Sequence, residues 1–383
     1  MSIKFRESHL QSMLKGFSTQ HLPLDVFLRN YFKIHKSIGS HDRKYLAEKV
    51  YTLFRWLGLV DHLCKNDHSW EERVEIFNSV DLSKLSADRS LPEHISVSFP
   101  KKLFEIFKTA FGAERARELC LISNSQAPTT IRVNPLKIER EELINLWNTK
   151  FQIEPCIKSP QGIVFKKREN FFGMEEFKQG FFEVQDEGSQ LVAFLVDAKP
   201  GQQVLDYCSG SGGKTLAFAP SLSDRGQIYL HDIRPHALME AKKRLKRAGI
   251  QNAQLLYHDD VKKKNLKNRM DWVLVDAPCS GTGTLRRNPD MKWKFDPETI
   301  SQIQQEQRKI FSEALAFVKP EGRIVYATCS ILPQENVDQL NYFLANHPLE
   351  LLSPPLEIFP TFGGMDGFYG VVFQKKKIPV KTN

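Results

Sequence analysis

Apolar residues recur every three or four positions over the first hundred residues of the chain, which is the spacing of an amphipathic helix. In SHDRKYLAEKVYTLFRWLGLVDHL, residues 40–63, the apolar positions are Leu46, Val50, Leu53, Phe54, Leu57 and Val60. A second helical stretch, KKLFEIFKTAFGAERARELCLISN, ends near Asn124. The spacing predicts a helical N-terminal domain over residues 1–95, in which the apolar stripe is buried in a small core.

The pattern changes after residue 124. PTTIRVNPLKI is typical of a strand, REELINLWNTK of a helix and GIVFKK of another strand. These segments predict a helical linker followed by a small α+β subdomain over residues 96–180.

Short apolar runs alternate with helices from residue 181 to the end. The runs are QQVLDYC, GQIYLHDI, AQLLYHD, MDWVLVDAPC and GRIVYATCS, and the tail GFYGVVFQKK predicts an antiparallel edge strand. Buried runs of this length separated by helices indicate a parallel sheet covered on both faces. We therefore predict an α/β domain over residues 181–383.

Charge and cysteine content limit the classes of partner and of site that the chain is expected to have. The 383 residues include 54 Lys and Arg against 45 Asp and Glu, a net charge of +9, which favours a polyanionic partner such as nucleic acid. The six cysteines form no CxxC pair, which argues against a zinc site or a disulfide framework. No signal peptide or membrane-spanning run stands out. We expect a cytoplasmic monomer that uses no metal and no membrane.

The segment VLDYCSGSGGKTLAFA, residues 204–219, predicts a strand, a glycine-rich turn and a helix. Its end matches a phosphate-binding P-loop, but Cys208 stands where the first glycine of that motif belongs, and the dinucleotide fingerprint is not met either. S-adenosylmethionine is the remaining cofactor that uses such a turn. The turn residues expected to bind it are Cys208, Ser209, Gly210, Ser211, Gly212, Gly213 and Lys214.

Acidic residues recur at the ends of successive predicted strands. Asp206 and Asp232 end the first two strands, Asp259 and Asp260 follow the third, and Asp276 ends the fourth. Ligands of doubly wound sheets bind at the carboxyl ends of the strands, so these acids would meet at one edge. A single aspartate is more often a helix cap or a turn residue, but their recurrence favours a cofactor site. Asp232 suits the ribose hydroxyls, and Asp259 or Asp260 the region of the adenine.

Two cysteines follow neighbouring strands, Cys279 in DAPCSGTGTLRRNPDMKWK and Cys329 in YATCSILPQEN. Carbon 5 of a pyrimidine accepts a methyl group once a thiolate has added to carbon 6. Such covalent catalysis needs a cysteine with a pKa lowered from about 8.5. A lone cysteine at a strand end is usually part of the core, but the Pro-Cys-Ser and Thr-Cys-Ser pair favours catalysis. Asp276-Ala277-Pro278-Cys279 also differs from the pattern of enzymes that methylate exocyclic amines.

Residues 120–377 resemble the Sun/Fmu (RsmB-like) family of RNA cytosine-5 methyltransferases. The resemblance rests on IRVNPL, VQDEGSQL, DYCSGSGGKT, DAPCSGTGTLRRNPDMKW, YATCSILPQENVDQL and MDGFYGVVFQK. It implies a Rossmann-like class I methyltransferase domain, a mixed sheet with helices on both faces. Members often have proline where this chain has Ser211, within a turn that is still permissive.

The resemblance also implies roles for individual residues. Cys329 is expected to be the nucleophile and Cys279 to assist product release, while Lys214 and Asp276 orient the cofactor and the target base. The basic segment after Cys279 is expected to contact RNA through Arg286, Arg287, Pro289, Asp290 and Lys292.

DRKYLAEKVYTLFRWL in the N-terminal region is similar to an antitermination-factor-like domain, which favours ribosomal over transfer RNA as substrate. Three alternatives stay open at this point: a transfer RNA cytosine-5 methyltransferase, a DNA cytosine-5 methyltransferase with Cys279 as nucleophile, and a non-catalytic RNA-binding or ribosome-assembly factor. The Thr-Cys-Ser cysteine and the accessory domains count against the DNA enzyme.

Overall fold

The computed structural model describes residues 3–18, 22–66, 68–258 and 260–377. Its helices are α1 (Ile3–Ser18), α2 (Leu24–Ile34), α3 (Ser40–Leu63), α4 (Trp70–Ser79), α5 (Leu82–Ala87), α6 (Glu93–Ser96), α7 (Lys101–Phe111), α8 (Ala113–Ser123), α9 (Arg140–Trp147), α10 (Glu175–Lys178), α11 (Glu187–Ala193), α12 (Thr215–Phe218), α13 (Pro235–Ala248), α14 (Met291–Lys294), α15 (Thr299–Leu315) and α16 (Val337–Asn346). Within the described ranges, no helix combines the length and apolarity needed to cross a bilayer.

The strands are β1 (Thr129–Val133), β2 (Ile153–Pro155), β3 (Gly162–Phe165), β4 (Phe182–Val184), β5 (Gln203–Asp206), β6 (Gln227–His231), β7 (Ala253–Leu256), β8 (Met270–Asp276), β9 (Val318–Thr328), β10 (Leu349–Leu351), β11 (Leu356–Ile358) and β12 (Phe368–Lys375). The chain forms two compact units. The first contains Met1–Gln126, Thr284–Pro297 and Pro360–Phe362, and the second contains the remainder. These units do not follow the predicted borders at 95/96 and 180/181, because α7 and α8 cluster with the N-terminal helices and the small α+β subdomain clusters with the large sheet.

The first unit is helical, as the apolar spacing predicts. Helix α3 spans Ser40–Leu63, and all six apolar positions of its predicted stripe are buried. They share a core with residues of α1 and α2 and with Trp293 of α14. The second predicted helical stretch is two helices, α7 and α8, which meet at Gly112.

The small subdomain of the second unit is a four-stranded antiparallel sheet in the order β2-β3-β1-β4. Helix α9 buries Trp147 and Leu143 against it, in a core that includes Ile131 and Phe182. Strands β1 and β3 are predicted from the sequence, whereas the three residues of β2 are too short a run to show a periodicity.

The large sheet has eight strands in the order β10-β12-β9-β8-β5-β6-β7, with β11 also paired to β12. Strands β5 to β9 are parallel and β12 is antiparallel to β9, so the predicted mixed sheet is confirmed. Alternate residues of β8 enter opposite cores, Val273 with Phe311 of α15 and Leu274 with Leu238 of α13, so helices cover both faces. The prediction that the tail strand is an edge is wrong, since β12 pairs on its far side with the short strands β10 and β11.

Candidate active site

The glycine-rich turn follows β5 directly and has a backbone that glycine alone adopts readily. Gly210 has φ +52° and Gly212 has φ +78°. A Cβ on Gly212 would lie 3.2 Å from Cβ of Ala241 on α13 and 3.3 Å from Cδ2 of Leu230 on β6. Beside Gly213, by contrast, no heavy atom of the described residues, its chain neighbours aside, lies within 4 Å of where a Cβ would be. The turn is thus closely packed on one side and open on the other.

Two buried polar atoms near this turn have no hydrogen-bond partner in the described part of the chain, Asp206 Oδ1 and Ser209 Oγ. The other carboxylate oxygen of Asp206 accepts a hydrogen bond from Thr215 Oγ1 at 2.6 Å. Burial raises the pKa of Asp206 to about 7. An unpaired buried carboxylate oxygen is unfavourable unless a ligand donates to it. S-adenosylmethionine carries an ammonium group on its methionine part, so these residues fit the predicted cofactor.

Asp232 follows β6, the strand next to β5, and is buried. Its Oδ2 accepts from the backbone N–H of Gly210 at 2.8 Å, and its Oδ1 accepts from the backbone N–H of Arg234 at 2.9 Å. Burial alone would raise the pKa of Asp232, but the hydrogen bonds from Arg234 and Gly210 lower it overall. Asp232 is therefore a carboxylate that also holds the start of the glycine turn.

Asp260 follows β7, the next strand of the sheet, and is half-buried, with its backbone N–H donating to the carbonyl of Tyr257 at 3.1 Å. Asp259, the other candidate for the adenine region, lies outside the described residues. Because β5, β6 and β7 are parallel neighbours, Asp206, Asp232 and Asp260 come after the same ends of adjacent strands, as the sequence predicts.

Lys214 and Asp276 form an ion pair that joins the glycine turn to the end of β8. Lys214 Nζ donates to Asp276 Oδ2 at 2.5 Å. Burial alone would lower the pKa of Lys214, but the Asp276 carboxylate raises it overall. Lys214 is therefore held as an ammonium ion, and Asp276 is placed at the strand end that leads to Cys279.

Cys279 and Cys329 are brought together, as the sequence predicts. Strands β8 and β9 are parallel neighbours, with Asp276 opposite Ala327, so the segments that follow them run side by side. The two Sγ atoms lie 3.2 Å apart and both residues are half-buried. The hydrogen bond from the Cys279 thiol lowers the pKa of Cys329, and the same interaction raises the pKa of Cys279. Cys329 is therefore the more acidic thiol of the pair, and Cys279 is the thiol that donates once Cys329 ionises.

Glu335 is a site residue that the sequence reasoning missed. Its side chain is fully buried, and its Oε1 accepts from Ser280 N–H at 2.8 Å and from Gln307 Nε2 at 3.1 Å. Its Oε2 accepts from the hydroxyls of Ser280 and Ser330, the latter at 2.5 Å. One carboxylate thus binds the residue that follows each cysteine. The sequence does offer a signal for Glu335. A serine follows each cysteine, and the glutamate of PQEN comes shortly after the second of them.

Gly283 allows the Cys279 loop to lie against the backbone of Cys329. Its N–H donates to the carbonyl of Cys329 at 2.9 Å, and its own carbonyl accepts from Gly367 N–H at 2.9 Å. A Cβ on Gly283 would lie 2.8 Å from the Cys329 carbonyl oxygen and 2.3 Å from that of Gly367, closer than side chains approach. Glycine is therefore required at this position.

The basic segment after Cys279 belongs to the first unit, and part of it is buried there. Lys292 Nζ donates to the carbonyls of Arg55 and Ser98 and to Asn124 Oδ1, at 2.6 to 2.7 Å. Arg286 is 1% exposed, and its Nη1 donates to the carbonyl of Thr361 at 2.9 Å.

These contacts correct the expectation for two of the five RNA-binding candidates. Because all three N–H donors of Lys292 are used inside the unit, and Arg286 is buried, neither side chain presents its charge to a phosphate. Pro289 and Asp290 are also buried, whereas Arg287 is half-buried.

Comparison with known proteins gives the family of the chain. Residues 193–371 match the family model for the 16S rRNA methyltransferase RsmB/F, and residues 99–171 match the ferredoxin-like domain of RsmF/B-like methyltransferases. Ribosomal RNA small subunit methyltransferase B of Vibrio vulnificus is 34% identical over 72% of this chain and 66% of its own length. The probable ribosomal RNA small subunit methyltransferase B of Bacillus subtilis is 30% identical over 73% of this chain and 67% of its own length. The chain thus spans about two thirds of the curated relatives it matches.

Solved structures share the fold. The crystal structure of PH0851 has a TM-score of 0.81 and 24% identity, covering 98% of this chain and 100% of the other. A methyltransferase homologue from Pyrococcus horikoshii has a TM-score of 0.66 and 25% identity, covering 77% of this chain and 100% of the other. The predicted methyltransferase fold and its cofactor, S-adenosylmethionine, are confirmed. On the two family models and the curated relatives together, the chain belongs to the RsmB/F methyltransferase family.

Proposed function

We propose that the protein transfers a methyl group from S-adenosylmethionine to carbon 5 of a cytosine in RNA, with ribosomal RNA of the small subunit as the favoured substrate. The observation that carries this proposal is the cysteine pair, two half-buried thiols 3.2 Å apart at adjacent strand ends. The names of the curated relatives, which are ribosomal RNA small subunit methyltransferases, support the choice of RNA.

Cys329 supplies the nucleophile in this proposal. Its thiolate adds to carbon 6 of the cytosine, forming the C6–S bond and making carbon 5 electron-rich. Bound S-adenosylmethionine supplies the methyl group that carbon 5 takes up. The carbon 5 proton then passes to solvent, and the electron pair left behind expels Cys329 as the C6–S bond breaks.

Cys279 assists the expulsion. Its thiol lies 3.2 Å from the Cys329 sulfur, close enough to donate to the thiolate and stabilise it as it leaves carbon 6. Lys214 and Asp276, paired beside the cysteines, orient the target base and the cofactor in this account.

The cofactor is held by the glycine turn, residues 208–214, together with Asp232, Asp260 and Asp276. Burial raises the pKa of Cys208, which keeps it a neutral thiol and suits it to line the cofactor rather than to react. The unpaired Asp206 Oδ1 gives the turn an acceptor for the ammonium group of the cofactor.

RNA contacts are assigned to Arg287, beside the buried Pro289 and Asp290. The net charge of +9 favours this polyanionic partner without specifying its sequence.

The test is methylation of defined RNA by the purified full chain. Small subunit ribosomal RNA, the free small subunit and bulk transfer RNA are each incubated with radiolabelled S-adenosylmethionine, and the product is digested to nucleosides and identified by mass spectrometry. We expect 5-methylcytidine in small subunit RNA and none with Cys329→Ala. Methylation of transfer RNA alone would move the substrate to that class, and label in any base position other than cytosine carbon 5 would overturn the proposal.

A further inference from the structure

Arg132 is a buried cation on β1, an inner strand of the small antiparallel sheet. Its side chain is 2% exposed, and burial lowers its pKa to about 9. A buried guanidinium is unfavourable unless its donors are used. Nη1 of Arg132 donates to Gln185 Oε1 at 2.7 Å and to the carbonyl oxygen of Gly213 at 3.3 Å. The side chain therefore reaches from the small sheet to the glycine turn.

Gln185 reaches the same carbonyl from the neighbouring strand. It follows β4, which pairs with β1 so that Arg132 lies opposite Glu183. Its Nε2 donates to the Gly213 carbonyl at 3.4 Å and to Ser189 Oγ at 3.1 Å. Arg132 and Gln185 thus converge on one backbone oxygen, beside the open position at Gly213.

Arg244 binds the glycine turn at a second point, Ser211, two residues before Gly213. Arg244 of α13 donates through Nη1 to the carbonyl of Ser211 at 3.0 Å and to its Oγ at 2.8 Å. Nη2 of the same arginine donates to Glu183 Oε2 at 3.0 Å, and Arg247 donates to Glu183 Oε1 at 2.5 Å. Arg132 of β1 therefore binds the glycine turn directly at Gly213, and Glu183 of β4 supports it at Ser211 through Arg244.

We propose that Arg132 and Gln185 are positioning residues for the cofactor, which fix the glycine turn in its binding conformation from the small subdomain. This inference rests on the proposed role of the turn in binding S-adenosylmethionine. A glycine-rich segment loses more conformational freedom than any other when it is ordered. Residues that order it before the ligand arrives therefore increase affinity, and they leave the chemical step at saturating cofactor largely unchanged.

Asn134 provides a matched control, because it lies in the same segment, IRVNPL, as Arg132. It is buried two residues after Arg132, and its Nδ2 donates to the carbonyls of Gly180 and Ala248, each at 2.9 Å. It also joins the small subdomain to α13, and these hydrogen bonds do not involve the glycine turn. If Arg132→Met weakened cofactor binding only by loosening the subdomain as a whole, Asn134→Ala should weaken it by as much.

The experiment measures the Kd of S-adenosylhomocysteine by calorimetry, with Tm as a parallel readout. We expect Arg132→Met to weaken binding about tenfold, Arg132→Lys to restore part of the loss, and Asn134→Ala to bind within about twofold of the parent. Because Gln185 is only half-buried, Gln185→Leu tests the same contact in a chain with an intact core, and we expect a loss of about three- to fivefold.

Steady-state methylation then gives a second readout. The KM for S-adenosylmethionine should rise in Arg132→Met and Gln185→Leu while kcat stays within about threefold. The inference is overturned if both variants bind S-adenosylhomocysteine like the parent, or if Asn134→Ala weakens binding equally. Since this binding needs neither RNA nor the reactive pair Cys279 and Cys329, failure of the proposed cytosine chemistry would show in the methylation assay alone.

Discussion

The Cys279 and Cys329 sulfur atoms lie 3.2 Å apart after two neighbouring parallel strands, and Glu335 binds the serine that follows each of them. The pair is asymmetric, because the hydrogen bond lowers the pKa of Cys329 and raises that of Cys279. The same fold that forms the parallel sheet thus places two thiols of unequal acidity side by side.

Removing the donor should change how Cys329 ionises. In Cys279→Ala the thiolate of Cys329 loses its hydrogen bond. Burial and the nearby carboxylates of Asp276 and Glu335 still oppose its charge, while Lys214 still favours it. The pKa of Cys329 should therefore rise, and the pH profile of its alkylation by iodoacetamide should move to higher pH. Mass spectrometry of the Cys329 peptide measures this shift. An unchanged or lowered midpoint would contradict the assignment of the thiolate.

Glu335 should be required both for stability and for the placement of the cysteines. Glu335→Ala leaves the half-buried Ser280 N–H and the buried Gln307 amide without this acceptor, which we expect to cost about 3 kcal/mol or more. Glu335→Gln keeps the volume and one acceptor oxygen, so it should fold and lower kcat by about tenfold. Urea unfolding and methylation assays measure the two effects. The exposed Glu350 on β10 gives the control, Glu350→Gln, and equal behaviour of the two Gln variants would contradict this role.

Asp206 should make the stability of the protein depend on pH. Because burial raises its pKa from 3.8 to about 7, folding favours the neutral carboxyl. Its contribution to stability is therefore full below the ordinary pKa and is lost as the pH rises toward 7. Asp206→Asn should accordingly raise Tm, relative to the parent, more at about pH 8 than at about pH 5.5.

Binding should show the opposite trend. The ammonium group of the cofactor pairs with the ionised form of Asp206, so the affinity for S-adenosylhomocysteine should increase between about pH 6 and pH 8 in the parent. In Asp206→Asn this increase should be absent and the binding weaker throughout. Calorimetry across this range measures both, and an equal pH dependence in the two proteins would contradict the pairing.

Lys292 should act on the stability of the first unit and leave RNA affinity unchanged. Lys292→Met leaves three buried acceptors without a donor, which we expect to cost about 3 kcal/mol or more of unfolding free energy. The salt dependence of RNA binding should stay the same, because that side chain neutralises no phosphate. Lys102 on the surface of α7 gives the control, Lys102→Met. A Lys292 variant as stable as this control, with a shallower salt dependence, would restore its predicted role.

The parallel sheet, the glycine turn and the cysteine pair were predictable from sequence because each depends on local patterns. Runs of buried residues marked β5 to β9, and residues that follow neighbouring parallel strands must lie near one another. The helix over residues 40–63 was predictable for a similar reason, since its apolar stripe repeats from Leu46 to Val60, about four turns.

The features that could not be predicted from sequence depend on contacts between distant parts of the chain. Lys292 looks like a surface cation in the basic segment LRRNPDMKWK, and only the packing of the first unit shows that its charge is buried. Glu335 and Arg132 each bind groups far away in sequence, and no periodicity signals such a partner. The tail strand looked like an edge because the strands that cover it have three residues each.

Covalent trapping tests the central claim most directly. RNA containing 5-fluorocytidine in place of cytidine is incubated with S-adenosylmethionine and with the parent, Cys279→Ala or Cys329→Ala, and the products are separated on a denaturing gel. Because fluorine cannot leave carbon 5 as a proton does, the parent should form a stable protein–RNA adduct, and mass spectrometry should place the bond on Cys329. Cys279→Ala should form the adduct and also retain one on ordinary RNA, where release is slowed. An adduct that persists in Cys329→Ala, or that maps to Cys279, would contradict the account.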